Sequence, residues 1–355
     1  MYFLLSLVLI FAINQVEACT RALFTGKDGS VIVGRSLDWV EDMFSNLYVF
    51  PKGMKRNSSA GNKSFDWTSK YGSLIVSGYQ AGSVDGMNEK GLVANLLYLA
   101  ESNYGEAAHG KPVLTTPAWA QYALDNFATV NEAVEALQKE AFTLAAPILP
   151  NNEQAQVHLA LSDPSGDSAI FEYVDGKLVI HHGKQFTVMT NSPTYNQQLA
   201  LNTYWEAIGG TTFLPGTNRA SDRFARAYFF ITNIPKDIDP RIITAVPEKK
   251  FEYQAIASVL SVIRSVSVPL GTATPNQPNI ASTLWRVVAD QKNLVYYYDS
   301  ATSPNAFWVN FSDLDFSETG SVKELVLEGG KVYSGNTAKL FQDAKPFQFL
   351  PVKAL

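Results

Sequence analysis

Cys19-Thr20-Arg21-Ala22-Leu23-Phe24-Thr25, then Gly26-Lys27-Asp28-Gly29, then Ser30-Val31-Ile32-Val33-Gly34-Arg35-Ser36-Leu37-Asp38-Trp39 is the stretch that organises this chain. Two apolar, β-rich runs flank a turn with glycine at both ends, which predicts a β-hairpin. A two-residue turn centred on Lys27-Asp28 sets Cys19 opposite Ser36. One centred on Asp28-Gly29 sets it opposite Asp38. Either way Arg35 and Asp38 come level with the cysteine, where a guanidinium favours thiolate and a carboxylate can hold a nearby amine.

Upstream, Tyr2 to Ile13 is almost purely apolar and is followed by Asn14-Gln15-Val16-Glu17-Ala18. The run is short for a membrane span and fits the apolar region of a secretory signal, with Val16 and Ala18 as the small residues before a cut. Residues 1–18 are therefore expected to be a signal peptide removed by signal peptidase. Residues 19–355 would form the mature unit, in the periplasm or secreted. Cleavage after Ala18 makes Cys19 the first residue. It is the only cysteine in the chain, so no intrachain disulfide can form. Three readings of it compete: a lipid-bearing anchor, an incidental residue, or a catalytic thiol with its own α-amine beside it. Glu17 is a poor neighbour for lipidation, and no flexible tether follows Cys19. No membrane anchor is expected.

The chain has 355 residues, 46% of them hydrophobic, enough for a sizeable core. Its net charge of -5 and the lack of a basic run argue against nucleic acid. His109, His158, His181 and His182 are the only histidines. His181 and His182 are adjacent on a strand, face opposite sides and cannot jointly hold a metal. No metal site is expected. No Walker loop, dinucleotide fingerprint or Gly-x-Ser-x-Gly elbow occurs.

Strands are expected at 70–77, 80–87 and 92–99. One long helix follows, with Pro117 in its first turn and Trp119, Tyr122, Ala123, Phe127, Ala133, Val134 and Leu137 at helical spacing. A meander spans 156–162, 168–174, 177–181 and 186–190. Helices are expected at 221–231 and 253–266, and strands at 283–289, 294–298 and 306–311. This order predicts one α+β unit of antiparallel sheets packed against helices.

Five phrases carry a resemblance. They are Cys19-Thr20-Arg21; Gly34-Arg35-Ser36-Leu37-Asp38-Trp39; Asp85-Gly86-Met87-Asn88-Glu89-Lys90-Gly91-Leu92; Met189-Thr190-Asn191-Ser192-Pro193; and Leu214-Pro215-Gly216 leading to Asp222-Arg223-Phe224. In this order they resemble the choloylglycine hydrolase family of N-terminal nucleophile hydrolases, which holds penicillin V acylases and conjugated bile salt hydrolases. The likeness is greatest to the exported Gram-negative penicillin V acylase branch, whose members are also linked to N-acyl-homoserine lactone cleavage.

The resemblance implies a four-layer αββα sandwich and an amide hydrolase acting on a small acyl amide without exogenous cofactor. It implies Cys19 as nucleophile, its α-amine as base, and Arg35 and Asp38 as the pair that orders them. Asn191 would give the side-chain oxyanion donor, Tyr98 the backbone donor, and Arg223 support for the network. It also suggests a homotetramer. Trp39 and Met43, close in sequence to the Arg35–Asp38 segment, are candidates for an apolar acyl slot. Tyr98 stands where bile salt hydrolases carry Asn, which counts against that alternative. An inactive secreted or lipidated binding protein is the alternative of another class.

Overall fold

The computed structural model describes residues 19–106, 110–275 and 280–352. The expected signal peptide and His109 lie outside them. The chain runs β1 (Thr20–Thr25), β2 (Val31–Trp39), β3 (Leu47–Phe50), β4 (Ser73–Gly78), β5 (Gly82–Asn88) and β6 (Val93–Tyr98). Next come α1 (Thr116–Asn126), α2 (Val130–Leu137), β7 (Val157–Ser162), β8 (Ser168–Val174), β9 (Lys177–His182) and β10 (Val188–Met189). Helices α3 (Tyr195–Ile208), α4 (Ala220–Asn233) and α5 (Phe251–Ser265) follow. The last elements are β11 (Ser282–Asp290), β12 (Val295–Ser300), β13 (Ala306–Asn310), β14 (Lys323–Leu325), β15 (Gly335–Asn336) and β16 (Gln342–Asp343).

Two large sheets stack. One has the order β10-β1-β2-β11-β12-β13-β15, the other β9-β8-β7-β6-β5-β4-β3-β14-β16. All pairs in them are antiparallel except β13 with β15. Helices α4 and α5 cover the first sheet and α1 covers the second, so the architecture is the expected αββα sandwich. Strand composition explains the layering. In β4, Leu74 and Val76 join the main core while Ile75 joins the core under α1. Apolar residues on both faces suit a strand buried on both sides.

Four expectations change. The first hairpin pairs Thr20 with Ser36 and Thr25 with Val31, a register between the two considered. The Gly29 N–H donates to the Gly26 carbonyl at 3.1 Å, the Gly26 N–H donates to Ser30, and Gly29 has φ +79. That is a three-residue loop closed by a left-handed glycine, which shifts pairing by one relative to a two-residue loop. The long helix is two helices. Thr129 caps α2 by accepting from the Glu132 N–H at 3.2 Å, while Glu132 accepts from the Ala128 N–H. The segment at 186–190 leaves the meander: only Val188–Met189 is strand, and it pairs with β1 in the other sheet. Helix α3 was not expected at all.

Candidate active site

Register brings the site together. Strand β10 runs antiparallel to β1, with Arg21 opposite Met189 and Ala22 opposite Val188. Continuing that ladder by two residues sets Asn191 across from Cys19, and the Cys19 N–H donates to Asn191 Oδ1 at 2.6 Å. In the full-length chain that nitrogen belongs to the Ala18–Cys19 peptide; in a chain cut there it is the α-amine. On the other side lies β2, whose residues alternate faces. A Cβ on Gly34 would meet Ile263 and Val259 of α5, so Gly34, Ser36 and Asp38 face the helices. Arg35, Leu37 and Trp39 face the second sheet.

Arg35 is buried and reaches across the inter-sheet layer. Its Nη1 donates to the Val84 carbonyl at 3.0 Å and pairs with Asp85 Oδ2 at 3.3 Å. Its Nη2 donates to the Leu96 carbonyl at 2.8 Å and lies 4.0 Å from Cys19 Sγ. The Cys19 thiol lies 3.8 Å from the Asp38 carbonyl. Burial pushes the thiol pKa up, and Arg35 only partly offsets this. The sequence-based expectation of a thiolate favoured by Arg35 is thus outweighed by desolvation. The Asp38 carboxyl is raised by burial to about 6 against the opposing pull of Arg223 and a hydrogen bond from the Thr283 hydroxyl. A bulge between Thr283 and Trp285 in β11 aligns Thr283 with Asp38.

Arg223 on α4 is buried and ties the corner together. It donates to the Cys19 carbonyl, to Thr20 Oγ1 at 2.7 Å and to Asn191 Oδ1 at 2.9 Å. Desolvation lowers its pKa to about 10, countered by Asp38 and Cys19. Asn191 Nδ2 donates to the Tyr98 carbonyl at 2.7 Å. The contact between these two residues therefore uses the Tyr98 C=O.

An apolar cleft opens at Cys19. Arg35, Trp39, Met43, Tyr98, Pro117 and Leu350 are among its walls. The Trp39 and Tyr98 rings meet edge-on at 6.1 Å, and Trp39 Nε1 donates to the Tyr79 hydroxyl at 2.8 Å. All of Cys19, Arg35, Asp38, Tyr98, Asn191, Arg223, Trp39 and Met43 thus gather around one corner. Among the described residues no group of three His, Cys, Asp or Glu side chains is placed to hold a metal ion.

Sequence reading missed a supporting network. His158 Nε2 lies 2.8 Å from the Thr190 carbonyl, and its Nδ1 lies 2.9 Å from Glu172 Oε1. A carbonyl only accepts, so Nε2 carries a proton. Glu172 also accepts from the Tyr195 N–H at 2.9 Å. Gln198 Nε2 donates to the Asn191 carbonyl at 3.1 Å. These buried groups clamp the backbone on both sides of Asn191.

A buried cysteine heading the first strand of an αββα sandwich, with arginine and amide groups around it, defines a cysteine amidohydrolase of the N-terminal nucleophile class. A family profile for linear amide C–N hydrolases of the choloylglycine hydrolase family matches residues 19–325, and the chain belongs to that family. A penicillin V acylase from Pectobacterium atrosepticum is 48% identical over 97% of this chain and 96% of its own. The structure of a penicillin V acylase from Agrobacterium tumefaciens superposes with a TM-score of 0.84 at 52% identity, covering 94% of this chain and 100% of that one. A bile salt hydrolase/transferase from Clostridium perfringens is 28% identical over 86% of this chain and 96% of its own. The enzyme is closely related to penicillin V acylase.

Proposed function

We propose that the mature enzyme, cut after Ala18 and exported to the periplasm or beyond, hydrolyses amides that carry an aromatic or linear acyl group. The side-chain amide of penicillin V and N-acyl-homoserine lactones are the substrates of choice. The observation that carries this reading is the apolar cleft at Cys19, narrowed by the Trp39–Tyr98 pair. A flat ring or a flexible tail suits such a cleft, whereas a rigid steroid needs a wider mouth.

The Cys19 Sγ–H gives its proton to the α-amine, a group whose unperturbed pKa is about 8. Burial raises the thiol pKa and Arg35 opposes the shift, so a base beside the sulfur assists its ionisation. Sulfur adds to the amide carbonyl, forming C–S and placing negative charge on oxygen. Asn191 keeps one Nδ2 proton on Tyr98 and offers the other to that oxygen, and the Tyr98 N–H is the expected second donor. One such donor is worth about 3 kcal/mol. The C–N bond breaks as the ammonium returns its proton to the leaving nitrogen. Water, deprotonated by the amine, then adds to the thioester, the C–S bond breaks, and carboxylic acid and thiol are regenerated. Arg35 faces the sulfur during these charge changes. On family grounds the enzyme is taken to be a homotetramer, and exposed Leu201, Tyr204 and Phe213 supply apolar contact surface.

The test measures kcat/KM of protein purified from a secreting host for penicillin V, an N-acyl-homoserine lactone series, glycocholate and taurocholate. The mass of the N-terminus is read in parallel. A free Cys-Thr-Arg start, acyl amides preferred, and loss of turnover in Cys19→Ser are expected. A bile salt preferred over all others would make it a bile salt hydrolase. A lipid-modified Cys19 without turnover would make it a binding protein.

A further inference from the structure

The family match ends at residue 325, yet the chain returns to the site well beyond that point. Leu350 lines the same cleft as Cys19. Its N–H donates to the Ala81 carbonyl at 2.8 Å. The preceding residues anchor it: the Phe347 ring packs edge-on against Tyr48 at 5.2 Å and Phe50 at 5.7 Å, and buried Phe349 stacks on Trp67 at 6.0 Å. The tail is therefore fastened into the core under α1 just before it presents Leu350.

Ala81 belongs to the turn between β4 and β5; Tyr79 and Ala81 of this turn and Gly82 at the start of β5 also line the cleft. This turn is itself held on several sides. Tyr79 and Gln80 carry positive φ values of 52 and 48, which require support from their surroundings. The Tyr79 N–H donates to the Met43 carbonyl at 2.6 Å, and its hydroxyl joins Trp39 to Glu41. Gly82 fits close against α1, where an added Cβ would lie 2.7 Å from the Pro117 Cβ. Leu350 is clipped to a wall that has little freedom to yield.

We propose that the C-terminal tail sets acyl-group length in this enzyme, with Leu350 as the specificity-determining side chain. This rests on the reading of the cleft as the acyl site. A fixed apolar side chain in the wall stops a growing acyl chain at a defined point. Up to that stop each added methylene brings about a four-fold gain in kcat/KM; beyond it the gain vanishes. Leu350→Ala removes part of the wall and Leu350→Trp extends it, so the two variants shift the preferred length in opposite directions.

The experiment uses the full mature chain and its Leu350→Ala, Leu350→Val and Leu350→Trp variants, each checked by circular dichroism and melting temperature. The substrates are linear N-acyl amides of one amine with about four to about twelve acyl carbons, a span over which the per-methylene gain can be followed. Leu350→Ala should favour chains about two methylenes longer than the parent does, and Leu350→Trp shorter ones. The smaller Leu350→Val change reads the same direction if the Ala variant does not fold. One length profile shared by all folded variants overturns the assignment. If the parent hydrolyses none of the amides, the functional reading fails separately. The tail is then judged from dissociation constants of the matching carboxylates for Cys19→Ala with and without Leu350→Ala. An unshifted binding profile overturns it there too.

Discussion

Asp38 carries an acidity far from that of a free carboxyl group. In the unfolded chain its pKa is about 3.9, and in the fold burial raises it to about 6. Between those values the folded state holds a proton that the unfolded state has released. The favourable contribution of this group is therefore fully present below about pH 4, is lost as pH rises towards 6, and becomes a constant cost above that, about 3 kcal/mol. Asp38→Asn removes that slope. Its stability relative to the parent should rise by about 2–3 kcal/mol between pH 4 and pH 7 in urea denaturation, while turnover falls. A relative stability independent of pH would mean that Asp38 ionises freely in the fold. At this scale the sequence was legible where chemistry is local: the lone cysteine at the head of the first hairpin, with Arg35 level with it, stands where the family match begins. Arg223 and Asn191 were reachable only by resemblance of phrases. His158 and Glu172 were not reachable, because their partner, the Thr190 carbonyl, is brought to them by folding and leaves no spacing in the sequence.

Elements were legible where pattern and chemistry agree. Strand β8 falls at 168–174 as expected, and α5 shows the helical spacing of Ala255, Val259, Val262 and Ile263. The break before α2 could have been read from Thr129-Val130-Asn131-Glu132, a capping-box signature. Helix α3 could not be found from hydrophobic periodicity, because its buried face is Tyr195, Gln198 and Asn202 while Leu201 and Tyr204 are exposed. The seat of β2 under α5 shows how an element positions the site. Gly34 neighbours Arg35 and touches the helix so closely that an added Cβ would lie 2.6 Å from Ile263 Cγ1 and 2.9 Å from Val259 Cγ1. Gly34→Ala should push α5 from the sheet and cost about 1–3 kcal/mol. Thermal and urea unfolding would measure this. Stability equal to the parent would show that the helix yields freely.

The molecule as a whole depends on a join that no local pattern announces. Arg35 of the first sheet pairs with Asp85 of the second, and the Asp85 carboxylate also accepts from Asn95 Nδ2 at 2.8 Å and the Tyr296 hydroxyl at 2.5 Å. Residues 35, 85 and 296 stand far apart in the chain, so the resemblance pointed to Arg35 while its buried counter-ion went unread. Burial raises the Asp85 pKa and Arg35 opposes the shift, so the carboxylate depends on the guanidinium that also faces the thiol. Asp85→Ala leaves a buried guanidinium without its counter-ion, at a cost of about 3–5 kcal/mol. Replacing both groups by apolar residues, Arg35→Met with Asp85→Leu, should recover only part of that stability: two desolvated charges are removed together, but Asn95 Nδ2, the Tyr296 hydroxyl and the Val84 and Leu96 carbonyls lose their partners. Turnover should not return, since no cation then faces Cys19 Sγ. Urea unfolding and kcat on the single and double variants separate the two roles. A double variant that regained turnover along with stability would reduce Arg35 to a structural staple.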